Sequence, residues 1–126
     1  AFALRAAVNR CANRFAQSLE PFMTPTELSL RLAAPEPPLL LDVRQPDEFA
    51  VVALPGAKLI PLHELPTRVS ELAAWREREV VVYCHHGMRS ARAVGWLRQQ
   101  GFARLHNLEG GIDRWSLEVD ANAPRY

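Results

Sequence analysis

Glu79-Val80-Val81-Val82-Tyr83-Cys84-His85-His86-Gly87-Met88-Arg89-Ser90 decides the reading of this chain, together with the stretch that runs on from it to Gln100. Val80 to Tyr83 is a β-branched and aromatic run of the kind that forms a buried strand. Beyond it, Ser90, Ala93, Val94 and Leu97 recur at i, i+3, i+4 and i+7, which is one face of a helix. Gly101 stands where a glycine closes a helix, and Phe102 is placed to fold back on the last turn. Cys84 therefore falls at a strand tip, where a tight loop carries the chain onto a helix N-terminus. Free amides at such a terminus favour negative charge. A thiol there ionises more readily than a free one. The plain alternative is a structural cysteine, because a lone Cys packs as a small apolar residue. The neighbouring Gly, Arg and two His weigh against it.

The loop from Cys84 to Ser90 resembles the active-site loop of the rhodanese-like sulfurtransferases, above all the single-domain bacterial ones. Leu41-Asp42-Val43-Arg44 with Glu48-Phe49, Pro55-Gly56-Ala57, and Leu108-Glu109-Gly110-Gly111-Ile112 with Trp115 agree with the family and stand in its order. The resemblance runs from Thr24 onward. It departs at Val52-Ala53, where the family often has Gly-His, a difference of packing more than of chemistry. It implies an α/β, three-layer rhodanese-like fold, a small parallel sheet with helices on both faces. It also implies a thiosulfate-type sulfurtransferase in which Cys84 cycles between thiolate and persulfide by a ping-pong scheme. The donor is then a small anion such as thiosulfate. The acceptor is cyanide or a thiol, with thioredoxin-like and sulfur-carrier proteins as candidates.

The residue types suit that chemistry. A persulfide carries negative charge on its outer sulfur, and amides of residues 85 to 90 curled around Cys84 would stabilise it, as an oxyanion hole does. Catalysis falls to Cys84. Substrate binding falls to His85, His86, Gly87, Met88, Arg89 and Ser90. Gly87 lets the backbone bend; Arg89, with the histidines, supplies positive charge. Arg89 has a second role open to it, a salt bridge to an acid such as Glu109. Asp42 and Arg44 are expected to be structural, a strand-end ion pair that fixes neighbouring loops. Gly110-Gly111 reads as a helix-entry turn in preference to an anion nest. Trp75, Trp96 and Trp115 read as packing residues. Cys84-His85-His86 lacks the spacing and the fourth ligand of a structural zinc site, so no metal and no cofactor is expected.

Two rival functions remain. A cysteine phosphatase or arsenate reductase sets its Cys and Arg one residue further apart than Cys84 and Arg89, and that position here is Ser90. The shorter loop suits one sulfur atom and crowds a tetrahedral oxyanion. A non-catalytic rhodanese-like binding or regulatory module usually lacks the Cys, which is present.

With 126 residues, 48% of them hydrophobic, and a net charge of +1, the chain reads as one soluble domain without a global bias toward nucleic acid. No apolar run is long enough to span a bilayer. Its two cysteines, Cys11 and Cys84, form no disulfide framework, so a reducing compartment, the cytoplasm, is the default. The chain opens on Ala1 instead of Met, which leaves room for a missing or processed N-terminus. Residues 1–23 read as an amphipathic helical extension, with Leu4, Val8, Cys11, Phe15 and Leu19 on one face and Arg5, Arg10 and Arg14 among them. Residues 24–126 read as the rhodanese-like domain. Within it, Thr24-Pro25-Thr26-Glu27 caps a short helix. Leu39 to Val43 is a strand ending at Asp42 to Arg44. Leu62 to Trp75 has helical spacing, and Glu118 to Tyr126 reads as a polar tail.

Overall fold

The computed structural model describes residues 22–126. The expected N-terminal helix and Cys11 lie outside them. Five strands form one sheet in the order β1-β5-β4-β2-β3, every neighbouring pair parallel. They are β1 (Phe22–Met23), β2 (Leu39–Asp42), β3 (Lys58–Leu59), β4 (Glu79–Tyr83) and β5 (Arg104–Leu108). The helices are α1 (Pro25–Leu32), α2 (Pro46–Val51), α3 (Leu65–Arg68), α4 (Met88–Gln99) and α5 (Gly111–Glu118). This is the layered parallel sheet expected from the sequence. β1 lies within the stretch read as an extension; two residues carry too little periodicity to announce a strand.

The sheet separates two apolar layers. Val80, Val82 and Cys84 pack on one face with Leu65, Leu72, Ala93, Val94 and Leu97. Val81 and Tyr83 pack on the other with Leu28, Leu108, Ile112 and Trp115. All five residues of β4 are buried, so the strand is a run without polar alternation, as a strand covered on both faces must be.

Local signals behave as the sequence predicts. Thr24 caps α1, its hydroxyl accepting from the Glu27 amide at 3.1 Å. The buried residues of α4 are Ser90, Ala93, Val94 and Leu97. Gly101 has φ +93°, and the Gly101 and Phe102 amides donate to Arg98 and Leu97 carbonyls, the paired bonds of a Schellman motif.

Leu62 to Trp75 departs from a single helix. A 3₁₀ turn at Leu62–Glu64 leads into α3, and a further 3₁₀ segment runs from Val69 to Trp75. Val69, Leu72 and Trp75 are spaced by three, the period of a 3₁₀ helix, and all three meet the same core layer. The last stretch departs as well. Arg125 and Tyr126 dock on the domain through Asp113, Arg44 and Glu48. The partners lie far back in the sequence, so polarity alone made this stretch look like a solvated tail. No helix among the described residues is long and apolar enough to cross a membrane.

Candidate active site

Cys84 follows the last residue of β4 and is 1% exposed. The carboxyl ends of β2 and β4 lie side by side, Asp42 opposite Tyr83, which is where open parallel sheets hold ligands. The chain then turns through Gly87, at φ +117°, directly into α4. That turn brings the Gly87 amide to 3.1 Å and the Ser90 amide to 3.4 Å from Cys84 Sγ. Both N–H groups donate to the sulfur. Ser90 Oγ lies 3.3 Å from Sγ, 2.5 Å from Asn107 Oδ1 and 3.1 Å from the Gly87 carbonyl. Its single proton has several acceptors, so the hydroxyl can turn toward the sulfur when charge develops there. Asn107 completes the frame, its Nδ2 donating to the Gly87 carbonyl at 3.2 Å.

The far side of the loop is held by α5. The Ile112 and Asp113 amides donate to the Cys84 and His85 carbonyls at 2.9 and 3.1 Å. These helix-entry amides are thus occupied by the loop, and Gly110-Gly111 is a turn, as expected.

Arg89 pairs with Glu48, not Glu109. The pair is bidentate, with Nη1–Oε1 at 2.6 Å and Nη2–Oε2 at 2.9 Å; Glu109 lies instead near Arg114, at 3.3 Å. Asp42 and Arg44 form the expected ion pair, both fully buried. Arg44 Nε and Nη2 donate to the Asp42 carboxylate, Nη2 also to the Val52 carbonyl at 2.6 Å, and Nη1 to the Tyr126 hydroxyl at 2.7 Å. That hydroxyl in turn donates to Glu48 Oε2 at 2.7 Å.

The two histidines differ. His85 meets the His86 ring at a tilt of 31°, centroids 3.9 Å apart, and the Tyr126 ring stacks on it at 4.0 Å and 9°. Burial lowers the His85 pKa and the adjacent His86 adds to that; Asp113 and Glu48 oppose it. His86 faces solvent and approaches Asp113. Met88 is 77% exposed. Among the described residues no group of three or more His, Cys, Asp or Glu is arranged to hold a metal.

Residues 24–118 match the family model described as the rhodanese-like domain. The chain belongs to the rhodanese-like family. A sulfurtransferase of Allochromatium vinosum is 46% identical over 89 residues, 71% of this chain and 81% of that one. Among solved structures, the thiosulfate sulfurtransferase of Pseudomonas aeruginosa superposes with a TM-score of 0.72 at 30% identity, covering 81% of this chain and 20% of that one. The human single-domain sulfurtransferase TSTD1 gives 0.69 at 28%, covering 78% and 96%. In this rhodanese-like domain, Asn107 and Tyr126 stand at the site with no local signal in the sequence to mark them. Glu48 and Gly110-Gly111 stand among the family marks, and their contacts come only from the structure.

Glu48 yields a prediction. The Arg89 hydrogen bonds lower its pKa from the usual 4.5 to about 2; burial opposes them, and Tyr126 and the Gln45 amide assist. A lowered folded pKa means that the stabilisation is complete above pH 4.5 and is lost as pH falls through about 2. Between those limits the unaltered protein is expected to lose on the order of 2 kcal/mol of stability at this group. Glu48→Gln is expected to show a flatter acid limb in urea unfolding. Parallel pH profiles for the two proteins would count against the assignment.

Proposed function

We propose that this chain is a sulfurtransferase that loads a sulfane sulfur onto Cys84 as a persulfide and passes it to a thiophilic acceptor. The observation that carries the reading is the pair of amides, Gly87 and Ser90, donating to a buried strand-tip sulfur. The name of the Allochromatium relative supports it. With thiosulfate as donor, the Cys84 thiolate attacks the outer sulfur, the S–S bond of thiosulfate breaks, and sulfite leaves with the bonding pair. The new outer sulfur carries the negative charge. Cyanide or a thiolate then takes that sulfur and returns Cys84 to thiolate, so charge balances in both halves. The loop amides stabilise the anion without reorganising. Arg89 draws in the anionic donor, while its pairing with Glu48 limits how far it moves. His85 and His86 line the loop, and the exposed Met88 is placed to meet an acceptor.

A thiol acceptor of the thioredoxin-like or sulfur-carrier type, and a reducing compartment such as the cytoplasm, fit this cycle. We assign residues 22–126, which include β1, to the catalytic unit and residues 1–21 to an extension. Intact mass after thiosulfate treatment tests the reading. A gain of one sulfur atom, reversed by a thiol reductant, is expected; an unchanged mass would overturn it.

Loop length separates this reading from phosphate chemistry. Four residues lie between Cys84 and Arg89, and a tetrahedral oxyanion needs a wider ring of amides than one sulfur does. The protein is expected to react with thiosulfate and to leave aryl phosphates intact. One Gly inserted after Met88 is expected to cut sulfur transfer about 100-fold by displacing the amides, and to admit weak phosphate or arsenate binding. Phosphatase turnover by the unaltered protein that matches its sulfur transfer would reverse the assignment.

A further inference from the structure

We propose that Tyr126 is a positioning residue for the donor half of the cycle, its hydroxyl fixing the Glu48 carboxylate that holds Arg89 beside the Cys84 loop. The inference rests on the sulfurtransferase reading and adds a residue to it.

The argument starts from Arg44. This guanidinium is fully buried, so each N–H needs a partner. Nε and Nη2 find Asp42 and the Val52 carbonyl. Nη1 has the Tyr126 oxygen at 2.7 Å and, at 3.4 Å, the Glu48 carbonyl. The phenol accepts from Arg44 and donates to Glu48 Oε2, so its one proton and its acceptor role are both committed. Glu48 divides its carboxylate among Tyr126, the Gln45 amide and the two Nη groups of Arg89. The result is a continuous relay, Asp42 to Arg44 to Tyr126 to Glu48 to Arg89. It runs from a rigid strand end to the cation at the first turn of α4.

Removing the hydroxyl leaves Arg44 Nη1 with only the long bond to the Glu48 carbonyl. A buried cation so left competes with Arg89 for the Glu48 carboxylate, and Arg89 loses its fixed bidentate geometry. The aromatic ring has a separate contact, the stack on His85, and Arg125 fastens the same segment to Asp113 at 2.8 Å. Ring and hydroxyl can therefore be separated. Tyr126→Phe keeps the stack and loses the relay; Tyr126→Ala loses both.

The two half-reactions are measured apart. Loading is the rate at which thiosulfate persulfidates Cys84, and discharge is the rate at which 2-mercaptoethanol removes the sulfur. Tyr126→Phe is expected to slow loading about tenfold at low thiosulfate, recovering at saturation, because a dianion depends on Arg89. Discharge is expected to stay within about twofold, since the attacking thiolate is a monoanion whose charge sits on one sulfur and makes no bidentate demand on Arg89. In Tyr126→Ala the His85 pKa, followed by NMR, is expected to rise toward 6.5 with His86, Asp113, Glu48 and Arg89 still around the ring. In Tyr126→Phe it stays in place. Unchanged loading in Tyr126→Phe, or an equal loss in both half-reactions, would overturn the proposal. Separate Nη1 and Nη2 resonances of Arg89 are expected in the unaltered protein and merged ones in Tyr126→Phe. That signature needs no turnover. A protein that gains no sulfur would refute the sulfurtransferase reading, while the Arg89 resonances would still decide whether Tyr126 positions it.

Discussion

Cys84→Ser is expected to lose sulfur transfer by more than about a thousandfold, as removal of a covalent nucleophile does, and to keep its fold. Both halves of that expectation come from the geometry. A serine hydroxyl does not ionise near neutral pH, and it cannot hold a second sulfur reversibly. It can still accept from the Gly87 and Ser90 amides that now meet the thiol, so no buried donor is orphaned. The change in unfolding free energy should stay within about 1.5 kcal/mol. Thiosulfate:cyanide turnover and the persulfide mass gain report the chemistry, and circular dichroism with urea unfolding reports the fold. Turnover persisting in the serine variant would move the reaction away from Cys84. Loss of activity together with loss of fold would leave the persulfide mass gain of the unaltered protein, and its block by prior alkylation of Cys84, to decide the point.

Gly111→Ala is expected to be the most damaging single-methyl change in the domain. At φ +62° an L side chain is already strained, at about 1–2 kcal/mol. The added Cβ would stand 2.3 Å from the His85 carbonyl oxygen and 2.5 Å from that of Cys84. These are backbone atoms, and they are the same carbonyls that α5 grips through the Ile112 and Asp113 amides. Relief of the clash must move the Cys84 loop or the helix. A loss of about 3 kcal/mol or more is expected, with sulfur loading falling alongside it. Gly56→Ala is the control. Its φ is +78° and its Cβ would meet nothing within 4 Å, so it carries the strain alone. Equal stability of the two variants would show that Gly111 is not where loop and helix press together.

Adjacent residues explain what the sequence disclosed and what it did not. The strand tip at Cys84, the inward face of α4 and the closure at Gly101 are set by residues within a turn or two of each other. Short-range patterning is enough to read them. Asp42 and Arg44 are two residues apart, and their pairing was legible for the same reason. That Arg89 could pair with an acid was legible, but not which one: Glu48 lies 41 residues away, and several acids fit a charge rule equally well. Tyr126 contacts Glu48 and Arg44 across 78 and 82 residues. Nothing near it in the chain distinguishes it from a solvated aromatic. The segment from Val69 to Trp75 was legible as a buried stripe, but a spacing of three fits both a 3₁₀ and an α reading until the core decides.

Asn107 gives the Cys84 loop a dependence on the order of synthesis. It holds Gly87 and Ser90 from 20 and 17 residues further along the chain, and it does so only when β5 has paired in register with β4, Val82 opposite Asn107. A chain that has left the ribosome only as far as Ser90 has therefore released Cys84 without the Asn107 side of its frame. The geometry around the sulfur is complete only when β5 joins the sheet, so the shape of the loop depends on a strand that is made after it.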